Sequence, residues 1–202
     1  MSKKKRKSFD ELFKHRIKRF FEPFAIVKTE FEILKLPKKI DILIVEPKTP
    51  IDEYVELFTY FKSYNIIEFK SESDRFKKQD IYKLKIYING LWLNERSSNA
   101  NNTTYTLVSS LKPLWLFKKY KFEKIKNGLY KTKDIEIIDI YVVTIGELDP
   151  IYKKEYIVLK EFADKQARKQ ALPILLEVAD NEMFEELLSL YMEEIVKLYE
   201  QE

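Results

Sequence analysis

Two short β-branched runs, Ile40–Val45 (IDILIV) and Asn65–Ser71 (NIIEFKS), are almost continuously apolar, yet each holds ionisable residues in its interior. Runs of this length read as strands buried on both faces, and such strands need helices on each side of the sheet. The flanking segments supply them. Ser8 and Glu11 form a capping-box pattern ahead of Leu12, Phe13, Ile17, Phe20 and Phe21, which predicts a helix over 9–22 that stops at Pro23. The expected class is therefore α/β, with a mixed central sheet flanked by helices.

Further elements follow from the same periodicities. Ile26–Leu34 alternates as a strand and joins 40–45 as a hairpin through Leu36–Lys39. Ile51–Phe61 has a helix-like apolar face, and a second helix is expected over about 79–93. The polar stretch 94–104 is a loop. Beyond it, 105–108 reads as a strand, 113–120 as a short helix, and 129–131 and 135–145 as strands about a turn. From Pro150 the pattern is helical and is expected to break at Pro173, with Phe184, Leu187, Tyr191, Ile195 and Leu198 along the last stripe. The organisation expected is a basic, disordered tail over 1–7, one domain over 8–149 and a helical C-terminal extension over 150–202.

The absence of cysteine and the single histidine, His15, exclude disulfides, thiolate chemistry and multi-histidine metal sites. No apolar run is long enough to span a membrane, so a soluble, cytoplasmic protein with no membrane partner is expected. Charge is uneven. Residues 1–39 hold thirteen Lys/Arg against five acids and 112–133 hold eight Lys against one Glu, whereas 177–202 hold nine acids against one Lys. The basic zones suit a phosphate backbone by counterion release, and they equally suit solvated faces.

The chemistry centres on Asp41 in one strand and Glu68-x-Lys70 in the other. Side chains two apart on a strand share a face, so Glu68 and Lys70 point the same way. Two carboxylates converging from neighbouring strands offer hard oxygen ligands for Mg²⁺ or Mn²⁺, and a nearby ammonium can stabilise charge developing on a phosphate. The same residues also read as a hairpin cap and ordinary ion pairs, because D…ExK arises by chance in a chain rich in Lys and Glu.

Asp41 in IDILIV, NIIEFKSESD at 65–74, IYKLKIY at 81–87, TTYTLVSSLKPLWLFKKY at 103–120 and KNGLYKTKDIEIIDIYVVTIGEL at 126–148 resemble the PD-(D/E)XK, or restriction-endonuclease-like, nucleases. The resemblance is to an uncharacterised prokaryotic family related to the recombination-promoting, transposase-like nucleases of mobile elements. It implies a restriction-endonuclease-like fold, Asp41, Glu68 and Lys70 as catalytic residues, a Mg²⁺ or Mn²⁺ cofactor and phosphodiester hydrolysis, with DNA as the expected substrate. One position departs: Glu72 stands where relatives often carry proline.

A further acidic ligand often comes from the first helix or strand of such folds. Glu11, Glu30 and Glu32 compete for it; Glu32 is favoured if Leu34 pairs opposite Asp41, and each reads also as a cap or surface acid. Tyr82 is expected to be a packing residue, and Lys83 beside it could approach a phosphate. Lys112, Lys118, Lys119 and Lys121, interleaved with Trp115, Phe117, Tyr120 and Phe122, are the expected nucleic-acid contacts. The acidic last helix is expected to pack on the core, mask the basic groove or bind a second copy as a homodimer. The alternative to a nuclease is a catalytically silent copy of the fold serving nucleic-acid binding or protein assembly.

Overall fold

The computed structural model describes residues 8–32, 39–45, 56–149 and 153–200. The first helix, α1 (Phe9–Phe21), starts where the capping box places it: Ser8 Oγ accepts from the Glu11 N–H at 3.2 Å and Glu11 Oε2 accepts from the Ser8 N–H at 2.9 Å. Three strands follow, β1 (Ile26–Glu32), β2 (Lys39–Val45) and β3 (Tyr64–Lys70), then α2 (Asp80–Asn94) and β4 (Thr103–Ser109). The chain continues through α3 (Leu114–Lys119), β5 (Glu123–Lys126), β6 (Leu129–Thr132) and β7 (Asp139–Thr144), then a 3₁₀ turn, α4 (Lys153–Lys160), α5 (Lys165–Val178) and α6 (Asn181–Tyr199).

The strands form one seven-stranded mixed sheet in the order β1-β2-β3-β4-β7-β6-β5. β3, β4 and β7 are parallel at the centre, and both flanks are antiparallel. All residues of β3 and β4 are buried, as central strands between two helical layers are, and their polar members such as Asn65 and Thr104 bond one another. On one face α1 and α4 bring Phe13, Ile17 and Leu159 onto Ile67, Phe69, Val108 and Val143, with Phe13 stacked 4.1 Å from Phe69. On the other, α2 and α3 place Ile81, Leu84, Ile88 and Leu116 against Ile66, Tyr105, Leu107 and Val142. α5 and α6 build a third cluster around Leu172, Leu175, Leu187 and Tyr191 that reaches Phe9 of α1.

Several expectations need correction. Residues 57–60 form turns, flanked by non-helical 56 and 61, rather than the helix expected over 51–61, and 51–55 lie outside the described residues, as do 33–38 of the hairpin connection and the tail 1–7. Leu57 and Phe58 are nonetheless core, so their apolar spacing reflects burial and not helical period. The strand expected over 135–145 begins only at Asp139, and β5 lies in a stretch for which no strand was expected. α5 continues through Pro173; Ala171, Leu172 and Leu175 bury its inner face and offset the lost hydrogen bond. Among the described residues no helix is long and apolar enough to cross a membrane.

Candidate functional site

The site lies at the C-terminal end of β3, on the sheet face covered by α2. β2 and β3 pair antiparallel through Ile42–Ile67, and one further step in that register sets Asp41 across from Glu68. Alternation breaks at Asp41: Ile42 enters the core under α1, whereas Ile40 enters the core under α2. The partner strand breaks at the same level. Glu30, in register with Asp41, has φ of +53°, and Val27 and Phe31 pack on opposite faces although they are four residues apart. A non-glycine residue in this left-handed region costs about 1–2 kcal/mol. The distortion leaves the Asp41 carboxylate bridging two elements: Oδ2 accepts from the Phe69 N–H at 3.3 Å, and Oδ1 lies 3.2 Å from Lys14 Nζ of α1.

Glu68 is only 4% exposed. Its Oε1 lies 3.3 Å from Lys70 Nζ, and its Oε2 is buried with no hydrogen-bond partner. Burial pushes the Glu68 carboxyl up to about 7, the neighbouring Asp41 charge adds to the rise, and Lys70 opposes it. Asp41 is likewise raised by burial, with Lys14 pulling the other way. The Lys70 ammonium is held by Glu68 and by Asp74 Oδ2 at 3.0 Å; burial works against its charge, but these acids outweigh it and raise its pKa. Asp74 is fixed in turn, since its N–H donates to Ser71 Oγ. From the start of α2, Asp80 and Lys83 form a 2.8 Å pair whose charges reach Lys70 and Glu68.

Asp41, Glu68 and Lys70 are thus brought together. Glu32 is placed differently: the hairpin pairs Phe31 with Ile40 and Glu32 with Lys39, so Glu30 rather than Leu34 stands in register with Asp41. Glu11 is used in the helix cap. Tyr82 is 70% exposed and is not the packing residue expected, while Lys83 turns towards the site through Asp80. Sequence reasoning missed Lys14, Asp74 and Asp80. Asp74 follows Lys70 by four residues, a weak signal; Lys14 meets Asp41 only through the tertiary fold.

The lysines of the basic zone over 112–133 are put to different uses. Lys112 is structural: its Nζ bonds Tyr130 Oη at 2.7 Å and Glu147 at 3.2 Å and lies over the Tyr130 ring. Lys118 and Lys119 are exposed in the last turn of α3, with Lys119 over the Tyr120 ring. Lys121 lines a hollow with Glu123, Lys131, Thr132 and Lys133. That hollow sits beside Thr132 and its neighbour Ile140, near the start of β7, whereas Glu68 and Lys70 are at the far end of the parallel strands. The acidic helix α6 is already engaged, because Arg19 of α1 pairs with Asp180 and Glu182, and Arg16 with Glu186.

As a cation site, the pair has the right chemistry: two anionic oxygen donors from adjacent strands, one with an orphaned buried oxygen. Asp41 and Glu68 are the residues that could hold such an ion. Among the described residues no group of three His, Cys, Asp or Glu forms a ready cage, so solvent or substrate oxygens would complete the shell. Comparisons with protein-family models, curated proteins and solved structures find no match to this chain.

Proposed function

We propose that the chain is a divalent-metal-dependent nuclease of the restriction-endonuclease-like type, hydrolysing phosphodiester bonds, with DNA as substrate. The observation that carries this reading is the buried, unpartnered Glu68 Oε2 beside Asp41, with the Lys70 ammonium on the same carboxylate. A buried anionic oxygen without a donor is costly, and a bound cation relieves the cost. Mg²⁺ or Mn²⁺ held by Asp41 and Glu68 would supply Lewis-acid polarisation of the phosphate and acidify a water. The chain's own contribution is positional. Lys70, tethered between Glu68 and Asp74, holds a positive charge where negative charge accumulates on the phosphoryl oxygens. The Phe69 N–H, donating to Asp41 Oδ2, holds that second acid against rotation.

Melting of the full chain with and without Mn²⁺ or Mg²⁺, paired with nicking of supercoiled plasmid, tests the proposal. The expected result is a metal-dependent rise in Tm and metal-dependent nicking, both lost in Asp41→Asn. An unchanged Tm and intact plasmid would overturn it.

One observation favours the silent-module alternative: Lys14 and Lys70 already stand within ion-pair distance of the two acids. On that reading the fold serves binding or assembly, and exposed Phe184, Met192 and Val196 of α6 offer a face for a second copy. Sedimentation of the chain against Phe184→Ser tests the homodimer.

A further inference from the structure

Lys14 is the most heavily subscribed side chain near the site. Its Nζ lies 2.9 Å from Asp10 Oδ2, 3.3 Å from Glu30 Oε1 and 3.2 Å from Asp41 Oδ1. Three carboxylates around one ammonium are more than charge balance requires. Asp10 and Glu30 are about half exposed, whereas Asp41 is mostly buried beside the unpartnered oxygen of Glu68. The ammonium therefore stands on the buried acid that the proposed cation needs, with two solvent-facing acids behind it.

We propose that Lys14 is a resident counter-ion that competes with the divalent cation for Asp41, and that the ion enters as the ammonium withdraws onto Asp10 and Glu30. This inference rests on the metal-dependent reading of Asp41 and Glu68 and assigns that site its regulation. Without the ion, Lys14 compensates Asp41 and stabilises the distorted β1–β2 ladder. With the ion, Lys14 keeps two partners and is not left as an unpaired, mostly buried charge, so the exchange involves a rotation of one side chain. Lys14 sets the affinity of the site without touching the ion.

Calorimetric titration of the full chain with MnCl₂ at pH 8 tests this. Lys14→Met removes the competitor and is expected to bind Mn²⁺ about tenfold more tightly than the unmodified chain. Lys18→Met deletes an equal charge from the same helix, at a side chain paired with Glu22, and is expected to change affinity by less than about twofold. The double variant Asp10→Asn/Glu30→Gln removes the retreat and is expected to weaken binding about fivefold. It changes only half-exposed side chains, so it serves if Lys14→Met fails to fold. Adding Asp41→Asn to Lys14→Met must abolish the gain. Equal affinities for Lys14→Met and the unmodified chain, an equal gain in Lys18→Met, unweakened binding in the double variant, or a gain that survives Asp41→Asn would each overturn the inference while leaving the metal site standing. Absence of Mn²⁺ binding in both the unmodified chain and Lys14→Met would remove the metal-dependent reading itself, and the inference with it.

Discussion

Glu68 and Lys70 stand two residues apart near the C-terminal end of β3, carboxylate and ammonium separated by 3.3 Å, and both are almost fully buried. Such a pair is expensive to desolvate, and hydrophobic residues of similar volume would often be at least as stabilising. The pair is therefore not accounted for by stability alone.

The first prediction concerns pH. The Glu68 carboxyl titrates near 4.5 when unfolded and about 7 when folded, so between those values the folded chain holds a proton that the unfolded chain releases. Stability from this group is fully present below 4.5 and is lost as pH rises through 7. Glu68→Gln should remove that slope and gain roughly 3 kcal/mol at pH 8 without divalent ions, with little change near pH 4. Tm measured across pH checks it; parallel profiles for the two proteins would refute it.

Lys70→Met separates charge stabilisation from ion binding. Nicking by the proposed nuclease should fall by about a hundredfold or more, the scale of losing one electrostatic contact to the transition state. The Mn²⁺-dependent rise in Tm should persist, because both acids remain.

Arg16 of α1 is buried between Glu161, which is fully enclosed, and Glu186 of α6. Arg16→Met removes the cation paired with buried Glu161, leaving only the charge of Arg168 to act on it, and should cost about 3–5 kcal/mol. Urea unfolding measures the loss, and limited proteolysis should cut first between α4 and α6.

Gly128 turns β5 into β6 at φ of +73°, and a Cβ there would stand 2.8 Å from Leu148 Cδ2 and 2.9 Å from both the Leu148 nitrogen and the Thr144 carbonyl oxygen. Backbone cannot yield as a side chain does, so Gly128→Ala should cost more than the roughly 1–2 kcal/mol of left-handed strain alone. Thermal melting reads this directly; a loss under 1 kcal/mol would show that the turn adapts.

The central strands were legible because short β-branched apolar runs mark buried strands in any context, and the two-residue spacing of Glu68 and Lys70 sets both on one face of β3. The capping box at Ser8 was legible for the same reason, being local. What was not legible is what depends on register and on distant contacts. The positive φ at Glu30 and the pairing of Glu32 with Lys39 leave no pattern in a sequence of alternating acids. Lys112 lay in a run of lysines yet serves Tyr130 and Glu147, which are eighteen and thirty-five residues away. Charge density marked a zone; only the fold divided it between opposite ends of the sheet.

Glu72, just beyond Lys70, has a partner in the C-terminal helices: its Oε2 accepts from the Lys165 N–H, one of the amides opening α5. A carboxylate complements the positive end of a helix. It also means that the short stretch from Lys70 to Asp74 is tied at both ends, with Lys70 held by Glu68 and Asp74, and Glu72 held by the start of α5. Cutting those helices away would loosen the very stretch of backbone that aims the Lys70 ammonium, so the appendage is better regarded as a brace than as cargo.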